Sequence, residues 1–387
     1  MTEGAAPRSA LEPPAEVAGT GFGDDERAER FSAFLHAHSG ERHIAVLQDY
    51  PDPDAISSAI GYRELARCCD VDVDIVYEGR ISHQENLALV HLLELELTRW
   101  TEGLVLDRYD GAVFLDNQGT TSRLTERLAA AGVPTLAIID HHAAQELLDP
   151  EFSDIREVGA AATIIVDYMR ASRILNLSVG NEAHARLATA LMHGLRSETK
   201  GFIDGGSPEL LAAAWLSPYV DTGLLEEILQ VQRSRGTMDV IKLALTDRKV
   251  RGGFSFAGVG YLRHADRDAV PQATDFLATE ENVHTAIVYG ILRGEGEREV
   301  VVGSMRTSKV TVDVDSFLKS ALGTDFRGRY YGGGRSGAGG FEIPVGFLEG
   351  ATDAEQLKLK WVAFNRQIRE KLMRAAGLEE EAEEGEE

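Results

Sequence analysis

Cysteine is nearly absent from this chain: 387 residues hold two, Cys68 and Cys69, side by side. Neighbours on a helix point too far apart for an easy disulfide, so a disulfide scaffold is excluded and a reducing, cytoplasmic setting is expected. Long apolar runs are missing as well. No stretch reaches the ~18–20 residues a membrane span needs, and the polar, acidic N-terminus lacks the basic start and apolar core of a secretory signal. Positive charge is the third shortage. Lys and Arg number 39 against 63 Asp and Glu, a net charge of −24, and part of the excess is the acidic run Glu379–Glu387. Phosphate backbones are tracked by basic stripes, so a long duplex is excluded as a partner and any nucleic-acid substrate should be small and held locally. An acid excess with few lysines also suits solubility in concentrated salt.

What is present is ordinary globular material. The hydrophobic fraction is 43%, and the length allows two domains, each with its own core. Residues 1–24, rich in Ala, Pro, Gly and Glu, read as a disordered lead. From His43 to about Phe202, short apolar runs alternate with helical patterns. Ile44–Leu47 precedes a helix over Ile56–Cys69, Val71–Tyr77 precedes one over Asn86–Leu93, and Ala112–Leu115 precedes one over Thr121–Ala131. Thr135–Ile139 follows directly, then helices over Ala160–Ala171 and Asn181–Arg196. Such alternation implies an α/β fold with a parallel sheet covered on both faces. Residues 25–205 are assigned to this domain and 206–247 to a helical connection. Strand patterns at Phe256–Leu262, Thr285–Leu292 and Glu299–Arg306, with helices at Val270–Ala278 and Val314–Leu322, make 248–350 a smaller α+β domain. Residues 351–387 are a C-terminal helix and acidic tail.

Acidic and histidine clusters sit where the apolar runs end. They are Asp52-Pro53-Asp54, Asp116, Asp140-His141-His142 and, after the last helix of the first domain, Glu198. A carboxylate at the carboxyl end of a parallel strand points into the crevice where open α/β sheets bind ligands. Taken singly, Asp54 could merely cap the helix opening near Ile56, and Asp116 could be a turn former. The triplet resists that treatment, because a carboxylate and two imidazoles in one crevice need partners, and divalent cations supply them. The combination is the chemistry of metal-assisted phosphoester hydrolysis. His193, beside Glu198, reads as a packed helix residue.

The order Asp-x-Asp with a downstream Ser, a lone Asp, then Asp-His-His resembles the DHH phosphoesterase superfamily. Gly194-Leu195-Arg196-Ser197-Glu198-Thr199 resembles its fourth motif. In the second half, Gly303-Ser304-Met305-Arg306-Thr307-Ser308 and the glycine-rich run from Tyr331 to Gly340 resemble the companion DHHA1 domain. The resemblance spans about residues 43–347 and implies two metal ions, usually Mn²⁺, with Mg²⁺ as the alternative. It further implies that Asp116 bridges the metals and Asp52 completes one sphere, while Asp54, His141 and Glu198 serve the other. His142 would face the scissile phosphate and Asp140 would orient its neighbours. Gln48 stands where the family usually has His and is carried as a metal ligand; Glu198 replaces an Asp, and Arg335 replaces a His. Substrate contacts are expected from His142, Arg306, Gly333, Gly334, Arg335 and Ser336, with the glycines forming an anion nest. Within the superfamily the chain is similar to the NrnA-like branch, which acts on very short oligoribonucleotides and adenosine 3′,5′-bisphosphate. The expected partner is therefore a small nucleotide or short oligonucleotide, with no membrane and no long duplex, and with a homodimer allowed. Cyclic-dinucleotide phosphodiesterase, RecJ-like exonuclease and exopolyphosphatase are the rival activities. A nucleotide-binding regulator without turnover is the rival of another class.

Overall fold

A computed structural model describes residue 23 and residues 25–81, 83–294, 298–335 and 337–378. All of the expected N-terminal lead except Gly23, the acidic tail from Glu379 and Ser336 lie outside the described residues. The chain divides between Val231 and Gln232 into two compact units, inside the stretch read as a helical connection. No helix among the described residues is long and apolar enough to cross a membrane.

The first unit runs α1 (Asp25–Ala37), β1 (Arg42–Val46), α2 (Pro53–Arg67), β2 (Asp72–Tyr77), α3 (Gln84–Leu92), β3 (Thr98–Arg99), β4 (Gly111–Leu115), α4 (Leu124–Ala131), β5 (Thr135–Asp140), β6 (Phe152–Ile155), α5 (Ala161–Ser172), α6 (Glu182–Glu198), α7 (Ser207–Leu216) and α8 (Thr222–Leu229). Its strands form one parallel sheet in the order β3-β2-β1-β4-β5-β6. β1, β4 and β5 are apolar on both faces because helices cover both: Ala45, Leu47, Val113, Leu115 and Ile139 join one core, and Ile44, Val46, Phe114 and Ile138 the other. α2 is buried almost all round. It starts where Asp52 accepts a hydrogen bond from the Ala55 amide (2.9 Å) and Pro53 takes the first helical position, where a missing N–H costs nothing. At Gly61 a Cβ would lie 2.4 Å from Ile165 Cγ2, so the bare backbone is what lets α5 approach.

The second unit runs α9 (Arg235–Asp247), β7 (Lys249–Arg251), β8 (Phe254–Arg263), α10 (Ala269–Leu277), β9 (Thr285–Arg293), β10 (Val300–Thr307), α11 (Val314–Leu322), β11 (Gly332–Arg335), β12 (Ala338–Pro344) and α12 (Ala354–Ala375). Its sheet has the order β11-β12-β10-β9-β8-β7; β8 and β9 are parallel and the other neighbours antiparallel. Alternation along β9 sends Ile287, Tyr289 and Ile291 towards α11 and α12, and Ala286, Val288 and Leu292 towards α9 and α10.

The glycine-rich run departs from expectation. It is neither a flexible loop nor an anion nest but an extended hairpin, with Gly333 opposite Gly340 and Gly334 opposite Gly339. A Cβ at Gly334 or Gly339 would lie 2.7 or 2.4 Å from Val314 Cγ1, so the glycines let the hairpin lie flat on α11. Main-chain pairing across the ladder replaces the convergent amides that a nest requires.

Candidate metal centre

The order of the first sheet reverses between β1 and β4, and a ligand crevice opens at the carboxyl ends of strands at such a point. Registry brings the ends level: Val46 pairs with Phe114, and Leu115 with Ile139, so Asp116 follows β4 beside Asp140 at the end of β5. Asp116 adopts left-handed φ of 56°, unusual for a residue with a side chain. Asn117 holds that turn, donating to the carbonyls of Val46 (3.0 Å) and Leu115 (2.9 Å) and accepting from the Gly119 amide. The strain thus sits where the sheet requires a carboxylate to turn inward.

His141 supplies the centre. Its Nδ1 lies 3.0 Å from the Val158 carbonyl, which can only accept, so Nδ1 carries a proton in either charge state and Nε2 is the nitrogen that gives up its proton to offer a lone pair. Nε2 faces three carboxylates: Asp116 at 3.3 Å, Asp54 at 3.8 Å and Glu198 at 3.9 Å. Neither His141 Nε2 nor Asp116 Oδ1 has a hydrogen-bond partner among the described residues, though both are buried. Asp54 is held from the other side by the first amides of α5, Ala161 (2.7 Å) and Ala162 (2.8 Å), where the helix dipole favours an anion. It therefore serves α5 and not α2; the cap of α2 is Asp52. Asp52 also accepts from Gln48 Nε2 (3.0 Å), so Gln48 positions that carboxylate with its amide hydrogens.

Asp140 holds the His142 ring, the backbone of both histidines and the loop behind them. One oxygen accepts from the amides of His141 and His142 and from His142 Nδ1 at 2.7 Å; the other accepts from Gln118 Nε2 at 2.7 Å. Gln118 also donates to the Ala143 carbonyl and accepts from the Gln145 amide. Sequence reading missed Gln118 and Asn117. Their only local signal is that two amides and a glycine follow Asp116 where the apolar strand stops. Replacing Gln118 by Ala should loosen Asp140 and with it His142, lowering metal affinity or turnover about 10- to 100-fold, as losses of groups that orient metal ligands do; metal titration and steady-state kinetics read it.

Burial and crowding shift the titration of all four groups. Burial, with His141 opposing and Asp52 adding, pushes Asp54 up to about 7. Burial, reinforced by Asp52 and Asp54, also lifts Asp116 well above the usual carboxylate range. Although burial acts against a charged ring, the contact with Asp116 and the Asp54 charge raise His141 to about 10. Asp140 goes the other way: burial is outweighed by the bonds from His142 and Gln118, and it lies below the usual range. Crowded carboxylates around one imidazole lone pair form a donor set for hard divalent cations, and the two orphaned atoms fit that use.

Residues 43–195 match the DHH family, N-terminal domain. This part of the chain is thus similar to DHH domains. An uncharacterised protein of Methanocaldococcus jannaschii is 34% identical over 334 residues, which are 86% of this chain and 63% of that protein. A probable manganese-dependent inorganic pyrophosphatase of Bacillus cereus is 32% identical over 117 residues, 30% of this chain and 36% of that protein. The chain thus spans under two thirds of the length of either relative. Among solved structures, an exopolyphosphatase-related protein from Bacteroides fragilis shares the fold with a TM-score of 0.62 at 15% identity, covering 89% of this chain and 98% of that one.

Of the residues singled out from sequence, the first unit gathers Asp54, Asp116, Asp140, His141, His142 and Glu198 by contact, and joins Asp52 to Gln48. His193 is fully buried on α6, 3.5 Å from Glu85, and burial depresses its ring to about 4. Arg306, Gly333, Gly334 and Arg335 lie in the second unit. There Arg306 bonds Asp275 (2.7 Å), Ser304 Oγ (3.0 Å) and the Met305 carbonyl (3.1 Å).

Proposed function

We propose that the chain is a Mn²⁺-dependent phosphoesterase acting on short oligonucleotides or nucleotides, adenosine 3′,5′-bisphosphate among them. One observation carries the reading: a buried imidazole nitrogen and a buried carboxylate oxygen face each other at 3.3 Å, neither with a hydrogen-bond partner among the described residues, ringed by two further carboxylates. A cation pair held by Asp52, Asp54, Asp116, His141 and Glu198 would lower the pKa of water and neutralise charge on the attacked phosphoryl group. The protein's own residues prepare the rest. Val158 holds the His141 ring through Nδ1, so Nε2 faces the crevice without rearrangement. Asp140 holds His142 through Nδ1, keeping the more exposed ring beside the crevice to face the scissile phosphate. Gln48 steadies Asp52 through its amide hydrogens.

Arg306 is assigned to the substrate's terminal phosphate. With Arg267, Ser304 and Tyr331 it lines a 430 Å³ cavity in the second unit, and a guanidinium matches a phosphate bidentately. The net charge of −24 supports a short substrate over a long strand. The name of the Bacillus cereus relative favours a second reading, hydrolysis of a phosphoanhydride such as pyrophosphate or polyphosphate. A substrate panel with Mn²⁺ and with Mg²⁺ separates the two: adenosine bisphosphate, a dinucleotide, cyclic di-AMP, a long single strand, pyrophosphate and polyphosphate. Turnover of the bisphosphate and the dinucleotide is expected. Turnover confined to the anhydrides or the long strand would overturn the proposal, and tight nucleotide binding without any turnover would make the chain a regulator.

A further inference from the structure

At the other end of β1, away from the metal centre, two imidazoles converge on one carboxylate. His38 follows α1, Glu41 precedes β1 and His43 is its second residue. His38 Nδ1 lies 2.8 Å and His43 Nε2 3.2 Å from the same Glu41 oxygen, and the three ligand atoms lie within 4.8 Å of one another. Atoms at ~2.0–2.1 Å from a tetrahedral ion sit about 3.4 Å apart, so small side-chain adjustments would admit one. The outer nitrogens are also held. His43 Nδ1 lies 2.8 Å from Tyr62 OH, and His38 Nε2 lies 3.4 Å from a Glu151 oxygen. A partner for the second nitrogen of each ring is the arrangement that orients metal-bound histidines. Burial adds to it: His43 is fully buried, His38 nearly so, and the Phe34 ring lies 4.7 Å from His38. Glu41 is part-exposed and leaves an entry path.

We propose that His38, Glu41 and His43 form a site for one divalent transition ion of the Zn²⁺ type, clamping the end of α1 to the start of β1. Two imidazoles and a single carboxylate favour Zn²⁺ or Co²⁺ over Mg²⁺, which prefers an all-oxygen sphere. His38 and Glu41 precede the residues matched to the DHH domain, and nothing in the proposed hydrolysis uses them. The clamp is therefore structural, and its loss should leave turnover in place.

The test uses the full chain, stripped by chelator and titrated with Co²⁺, whose tetrahedral d–d absorption reports an imidazole-rich site. The wild type should bind one equivalent more than His38→Gln or Glu41→Gln, and the visible band should go with that equivalent. Asp116→Ala should keep both the band and the extra equivalent, while the Gln variants should keep phosphoester hydrolysis. Equal stoichiometry in wild type and variants would overturn the proposal and leave the cluster as a closed hydrogen-bond network. If a variant fails to fold, paramagnetic broadening of the His43 ring signals by Co²⁺ in the wild type decides without substitution: broadening supports the site, and unchanged signals overturn it.

Discussion

Asp116→Ala and Asp116→Asn are each expected to lower metal-dependent phosphoester hydrolysis by at least about a thousand-fold, the several kcal/mol that metal stabilisation of transition-state charge supplies. Asp116 is the carboxylate nearest His141 Nε2, and its Oδ1 lacks a hydrogen-bond partner among the described residues. No neighbour can take over. Asp54 is engaged by two α5 amides, Asp140 by His142 and Gln118, and Asp52 by Ala55 and Gln48. The Asn variant separates charge from backbone strain, because Asn tolerates the left-handed conformation that Ala does not. In Asp116→Asn, relief of a crowded carboxylate cluster should leave the metal-free fold at least as stable as wild type, so thermal melts of that variant serve as the folding control. Activity of Asp116→Asn within about tenfold of wild type would contradict the bridging role.

The second large effect is on stability against pH in the metal-free protein. The unfolded chain releases the Asp54 proton near 3.8, whereas the folded chain keeps it up to about 7. Between those values the folded state holds more protons than the unfolded one, so stability falls as pH rises. His141 acts in the same direction in the next window: its extra proton stabilises the fold fully below about 6.5 and is lost as pH rises through about 10. Chelator-treated protein should therefore lose on the order of a few kcal/mol between roughly pH 4 and pH 10. Added Mn²⁺ replaces those protons as counter-charge, so its effect on Tm should be larger near pH 8.5 than near pH 5.5. Melting curves at both pH values, with chelator and with Mn²⁺, check this. Asp54→Asn should flatten the lower part of the chelated profile, which separates the site from the general repulsion of an acidic chain. A chelated Tm that is level or rises with pH would contradict the assignment.

The parallel sheet was readable because its central strands are short apolar runs, and Asp116 and Asp140 stand out at their ends as abrupt polar residues. Partners across long sequence distances were not readable. Asp54 reads locally as a cap for α2, yet it bonds amides 107 and 108 residues away at the start of α5. Gln118 resembles any turn residue until folding brings it to Asp140, 22 residues on. β3 is two exposed residues, too short to show alternation. β6 reads as polar because Asp154 lies within it, and only the fold supplies the buried Arg156 and Tyr168 that satisfy that carboxylate. The glycine run shows the converse failure. Its composition suggests a phosphate loop, while packing against α11 explains the same glycines as strand residues.

If Asp116 and His141 anchor a pair of divalent cations, the bound Mn²⁺ can be counted. The count compares wild type with Asp116→Asn, after dialysis at about pH 8, by elemental analysis and electron paramagnetic resonance. The expected result is two Mn²⁺ in the wild type with the spectrum of a coupled pair, and at most one, uncoupled, in the variant. Two coupled ions retained in Asp116→Asn would contradict it.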